Sequence, residues 1–151
     1  MNTNTSFMQK FLVIFLLAIC VTVFKARSQN KTEEPFTIEN YYKIKWGYAK
    51  EFIDLWKKNH YPILKKAVEK GYILSIDAET PVLHSGEDTR WDFKVRIVFK
   101  NAQLAVGAPD MISPLKADIY PDLVKLELDE QHRFERLIAH WDVIVDRVNL
   151  K

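Results

Sequence analysis

From Phe36 the chain alternates with a period of two. Ile38, Tyr42, Ile44 and Trp46 fall on one side, with Asn40 the lone polar member, and Thr37, Glu39, Tyr41, Lys43 and Lys45 on the other. This is the pattern of a half-buried strand. Gly47 breaks it, and from Tyr48 to Lys70 the positions Phe52, Trp56, His60, Ile63, Leu64 and Ala67 recur at spacings of three and four, as on a helix that buries one stripe. Pro62 removes a backbone donor inside that helix, which predicts a kink or break near His60, and Gly71 provides the stop. Alternation returns over Tyr72 to Glu79, with Tyr72, Leu74, Ile76 and Ala78 against Ser75, Asp77 and Glu79. After a polar loop, His84 to Arg90, it returns again over Trp91 to Phe99, and the two runs predict a hairpin. Pro109, Pro114 and Pro121 cut residues 101 to 127 into short pieces, with Ser113-Pro114 reading as a cap followed by proline at the first helical position. Asp129 is placed to cap a helix through Ala139 that carries Phe134, Leu137 and Ile138, and His140 to Leu150 alternates as a fourth strand.

The order β-α-β-β-α-β predicts one α+β domain of ferredoxin-like architecture, a four-stranded antiparallel sheet with helices on one face. The second face would carry Tyr41, Lys43, Lys45, Asp77, Glu79, Lys94 and Arg96. Both signs occur on neighbouring strands, so cross-strand pairs can satisfy them. Such a face suits a solvated surface, a wet dimer interface or a polar barrel interior.

Ahead of this domain, Phe11 to Phe24 is an uncharged apolar run of 14 residues between Lys10 and Lys25. A membrane-spanning helix needs about 20 such residues, so the run reads as the core of a signal peptide covering residues 1 to 28. Ala26 and Ser28 place cleavage before Gln29, and Gln29 to Pro35 is a flexible lead-in. Two alternatives remain open: lipidation at Cys20, although Ile19 is large for a lipobox, and an uncleaved anchor, which would be the protein's one link to the membrane. The expected location is exported, periplasmic or secreted.

This division changes the meaning of the charge. The whole chain carries 22 basic and 20 acidic residues, a net +2, but Met1 to Ser28 holds Lys10, Lys25, Arg27 and no acid, which leaves 19 against 20 in the remainder. That balance argues against a nucleic-acid partner. The single cysteine, Cys20, also lies in the leader, so the domain has neither a disulfide nor a cysteine nucleophile. Four glycines and no Gly-x-Ser-x-Gly give neither a phosphate-cradling loop nor a serine elbow, and no cofactor is called for.

Three strings carry a resemblance: Phe52-x-x-x-Trp56-Lys57-Lys58-Asn59-His60-Tyr61-Pro62, Trp91-Asp92-Phe93-Lys94-Val95, and Phe134-Glu135-x-Leu137-x-Ala139-His140-Trp141-Asp142. Over about Phe36 to Leu150 the chain resembles small exported proteins related to the dimeric α+β barrel superfamily. The resemblance implies a ferredoxin-like fold and a homodimer that pairs sheet to sheet into a barrel. Its members include cofactor-free monooxygenases, haem-degrading enzymes, sugar mutarotases and proteins with no assigned activity. No member's catalytic set matches residue by residue.

His60, four residues from Trp56 and four from Leu64, should face the sheet. There it either packs as a satisfied histidine, with the carbonyl freed by Pro62 as a neighbour, or acts as acid/base. His140 opens the last strand. If the two histidines converge, Tyr42, Trp56, Trp91 and Trp141 would wall an aromatic pocket for a small organic ligand. This gives a small-molecule-binding domain performing a cofactor-independent oxidation or isomerisation, with catalytic candidates His60 and His140. The rival is a non-catalytic binding or accessory protein of the cell envelope. His84, Glu87, Asp88 and Asp92 match no established metal spacing, and His132 is assigned no role.

Overall fold

The computed structural model describes residues 34–83, 85–107, 113–148 and 150. The expectations about the export segment, Cys20, the cleavage point and His84 lie outside the described residues. Strand β1 (Phe36–Ile44) runs antiparallel between β3 (Phe93–Phe99) and β4 (Leu137–Val145), and β2 (Ile73–Glu79) pairs beyond β3, giving the order β2-β3-β1-β4. The register puts Tyr42 opposite Phe93 and His140, and Asn40 opposite Val95 and Asp142. Alternation then fixes both faces: Tyr42, Ile44, Phe93, Val95 and Ile97 turn to the helices, while Tyr41, Lys43, Lys94, Arg96 and Trp141 turn away.

The long helix consists of α1 (Ala49–Leu55), a π-helical turn (Trp56–His60) and α2 (Tyr61–Glu69), without an interruption. Pro62 leads to a wide turn rather than a break. The Lys58 carbonyl, which the missing Pro62 N–H would have served, accepts from Tyr120 Oη at 3.0 Å, and the Asn59 carbonyl accepts from the same hydroxyl at 2.9 Å. The freed carbonyl is therefore partnered by Tyr120 and not by His60. Two further helices, α3 (Ser113–Ile119) and α4 (Leu123–Phe134), pack on this rod, α3 against α2 and α4 against α1 and the π turn. Phe52, Trp56, Ile63, Leu64 and Ala67 of the rod and Leu115 of α3 close the core over the sheet.

Several boundaries differ from the sequence expectation. The last helix begins after Asp122, whose Oδ1 accepts from Lys125 N at 2.9 Å, and ends at Phe134, so Asp129 is not its cap. Leu137 to Ala139 belong to β4, which runs from Leu137 to Val145 rather than from His140 to Leu150. In β2 a register shift between Ile73 and Ser75 buries Ile73 and leaves Leu74 exposed, reversing the expected alternation there. Strand β3 begins at Phe93, so Trp91 escapes its parity. Trp46 lies beyond the end of β1 and is exposed, with the Arg90 guanidinium 4.2 Å from its ring centroid.

Among the described residues Arg90 is the largest fully buried side chain, although it comes from the polar β2–β3 loop. Its Nη1 and Nη2 each donate to the Ile44 carbonyl at 3.1 Å, its Nε donates to Glu87 at 2.6 Å, and Nη1 also meets Asp92. Asp92 in turn accepts from the Ile44 N–H at 2.7 Å. Two side chains thus satisfy both backbone groups of the last residue of β1, where the ladder ends.

Candidate functional site

Four of the six residues expected to form a site converge on the helix-covered face. Tyr42 stacks on His140, with centroids 4.5 Å apart and planes 11° from parallel, and also touches Phe52 and Phe93. Trp56 lies edge-on to Phe93 at 5.3 Å and 5.6 Å from His60. The π turn presents Trp56 and His60 together toward this cluster, and the register of β1 and β4 places Tyr42 beside His140.

Burial sets the protonation of the cluster. His60 is pushed down to about 4, first by desolvation and then by the Arg133 guanidinium, with smaller contributions from Lys116 and His140, while Glu130 opposes. It is therefore neutral at pH 7. Burial raises the Tyr42 phenol to about 12, against the pull of Arg133 and the Trp56 indole N–H, so it remains a hydrogen-bond donor. The indole Nε1 of Trp56 is buried and forms no hydrogen bond of ordinary geometry among the described residues. Arg133, itself buried, pairs with Glu130 at 2.8 Å and lies 5.3 Å from the Phe52 ring. At the rim, His140 Nε2 is 3.2 Å from Asp142 Oδ1.

Trp91 and Trp141 do not wall this cluster. Trp141 is adjacent in sequence to His140 and so faces the other side of the sheet, where it stacks on Tyr41 at 5.5 Å with planes 2° apart. Trp91 meets the same Tyr41 ring edge-on at 6.0 Å. Lys94 Nζ lies 5.7 Å from the Trp91 centroid and pairs with Glu79 at 2.9 Å. Tyr41 donates to Glu39 at 2.6 Å. On this open face Arg96 Nε is buried without a hydrogen-bond partner among the described residues.

Two open grooves of about 470 Å³ flank α1, one against α4 with Leu55 and Leu128 in its lining, the other beside Gly47 and Lys50. Neither includes His60 or His140. In the first, His132 Nε2 lies 2.6 Å from Glu51, so the histidine assigned no role ties α4 to α1. Among the described residues no group of three or more His, Cys, Asp or Glu is placed to hold a metal ion. Sequence reasoning missed Arg133, Asp142 and Tyr120. Only Asp142 left a signal, lying two residues beyond His140 on one face of a strand.

No protein-family model matches the chain, and no curated protein matches it in sequence. Solved structures do match its shape. A dimeric ferredoxin-like protein from an uncultured marine organism aligns over 82% of this chain and 98% of its own, with a TM-score of 0.51 at 5% identity. A protein provisionally assigned as an antibiotic biosynthesis monooxygenase, from Bacteroides thetaiotaomicron, aligns over 77% and 91% with a TM-score of 0.46 at 6% identity. A NIPSNAP family protein from Agrobacterium tumefaciens aligns over 78% and 96% with a TM-score of 0.47 at 12% identity. By fold, this chain is a ferredoxin-like α+β domain, a four-stranded antiparallel sheet with helices on one face.

Proposed function

We propose that the protein is an exported homodimeric domain that binds a small organic molecule on the helix-covered side of its sheet, against Tyr42, Trp56, His60 and His140. The observation that carries this reading is the convergence on one face of two histidines, a protonated phenol and a buried indole N–H that forms no hydrogen bond of ordinary geometry among the described residues. Such a cluster favours a ligand that brings acceptor atoms. The dimer is supported by the aromatic and charged open face and by the dimeric state of the marine ferredoxin-like protein. Export is supported by the apolar run Phe11 to Phe24.

A second reading, a non-catalytic binder of the same fold, is favoured by one observation. With its pKa at about 4, His60 is a weak base at neutral pH and suits hydrogen bonding better than proton abstraction.

The test is a melting screen of the purified protein against small carbonyl, phenolic and carboxylic compounds. A ligand at 100 times its Kd adds about 2.7 kcal/mol. A compound that raises the wild-type melting temperature and loses its effect in His60→Ala and Tyr42→Phe supports the site. Equal stabilisation of all three proteins places the ligand elsewhere.

A further inference from the structure

We propose that the free edge of β4 is a seam of the homodimer, where the same strand of a second copy pairs with it antiparallel about a two-fold axis through Trp141. This rests on the homodimer reading above and names the strand that makes the contact.

The two edges of the sheet differ. In the order β2-β3-β1-β4, both β2 and β4 have one unpaired side. Such an edge offers its backbone groups to any second chain unless charge, proline or irregular backbone blunts it. The edge of β2 is blunted: the strand carries Asp77 and Glu79, has a register shift between Ile73 and Ser75, and is followed by Thr80-Pro81. That of β4 is not. The strand is nine residues long, contains no Lys, Arg or Pro, and is exposed at all seven central positions, Ile138 to Ile144. Ile138 and Ile144 are 50% and 63% exposed on a surface that a single chain leaves in water. From Ala139 to Val143 the strand pairs with β1 without a register shift, so its outer edge is regular over that span.

The strand is also complementary to itself. It has three apolar residues on each side of His140-Trp141-Asp142. If the sheet continues with its helices on one side, directly opposite residues share a face, so the two-fold axis passes through a residue and not between two. An axis through Asp142 sets two carboxylates against each other, and one through His140 sets Asp142 against the partner's Ile138. An axis through Trp141 instead sets His140 against the partner's Asp142 twice over, indole against indole, and Ala139 against the partner's Val143. The histidine supplies an N–H donor and the carboxylate an acceptor.

Disulfide trapping in the full chain carrying Cys20→Ser reads this register. Opposite positions lie within the Cα separation of about 4.4–6.8 Å that a disulfide spans, whereas Ala139 and Val143 are each about 14 Å along the seam from their own copies. Ala139→Cys/Val143→Cys should therefore cross-link into a covalent dimer at least about 10-fold more than either single variant. Both positions are exposed, and melting temperatures check that the variants fold. In a second arm, Asp142→Lys should raise the dimer dissociation constant about 5-fold or more, and adding His140→Asp should recover most of the loss. A dimeric parent whose double-cysteine variant does not cross-link, or single variants that cross-link equally well, would overturn the seam and leave the homodimer standing. So would an Asp142→Lys dimer as tight as wild type. A parent at the monomer mass would overturn both.

Discussion

The two faces of the sheet come from the same strands and differ in what they do with polarity. On the covered face, Tyr42 and Phe93 are 5% and 3% exposed, and the polar groups among them are held uncharged, His60 neutral and Tyr42 protonated. On the open face Trp141 and Val143 are each 39% exposed, and the charged side chains pair sideways, Lys94 with Glu79 and Lys43 with Glu87. One residue of strand phase decides which face a side chain joins: His140 stacks on Tyr42 of the covered face and Trp141 on Tyr41 of the open one. The covered face is thus a place where protonation is tuned by burial, the open face a place where a second surface can dock.

The largest separation of the two should come from truncation. Phe52→Ala removes a fully buried ring that touches Tyr42 and Phe93, and should cost about 3–5 kcal/mol in urea unfolding. A loss under about 1 kcal/mol would mean that the covered face is not the core.

Acid should act next. The folded-state pKa of His60 lies below its unfolded value of 6.5, so its contribution is complete above pH 6.5, falls as pH drops toward 4, and changes no further below that. The 2.5-unit gap corresponds to about 3 kcal/mol. Melting curves from pH 7 to 4 should show this slope in wild type and a flatter one in His60→Gln.

Tyr120→Phe leaves the Lys58 and Asn59 carbonyls of the π turn without their donor and should cost about 1–2 kcal/mol. If the turn positions the site, the same variant should weaken ligand-induced melting shifts. On the open face Glu79→Gln breaks an ion pair whose acid is 54% exposed, and the expected change is below about 1 kcal/mol. A larger loss would show that this face is sealed even in the isolated chain.

Much of this arrangement was legible in the sequence. Strict alternation over Phe36 to Ile44 and Phe93 to Phe99 marked the two central strands, because each has one face in the core and one outside. Pro62 marked the irregular helical turn. The junction between α4 and β4 was not legible, since Phe134, Leu137 and Ile138 satisfy a helical spacing, and β4 is an edge strand whose exposed apolar residues fall on both faces. The pairing of Tyr42 with His140 depends on register, which no local pattern encodes. Arg90 was hidden for a related reason: a charged residue in a polar loop looks solvated until its distant partners at Ile44 are known.

The central claim is that the open face meets a second copy while the opposite face holds the site. The most direct measurement is the molar mass, by light scattering, of wild type and of Trp141→Glu, which places a charge against Tyr41 at the middle of that face. The account predicts wild type at twice the monomer mass and a folded Trp141→Glu at the monomer mass. A monomeric wild type, or a Trp141→Glu that remains a dimer, would contradict it.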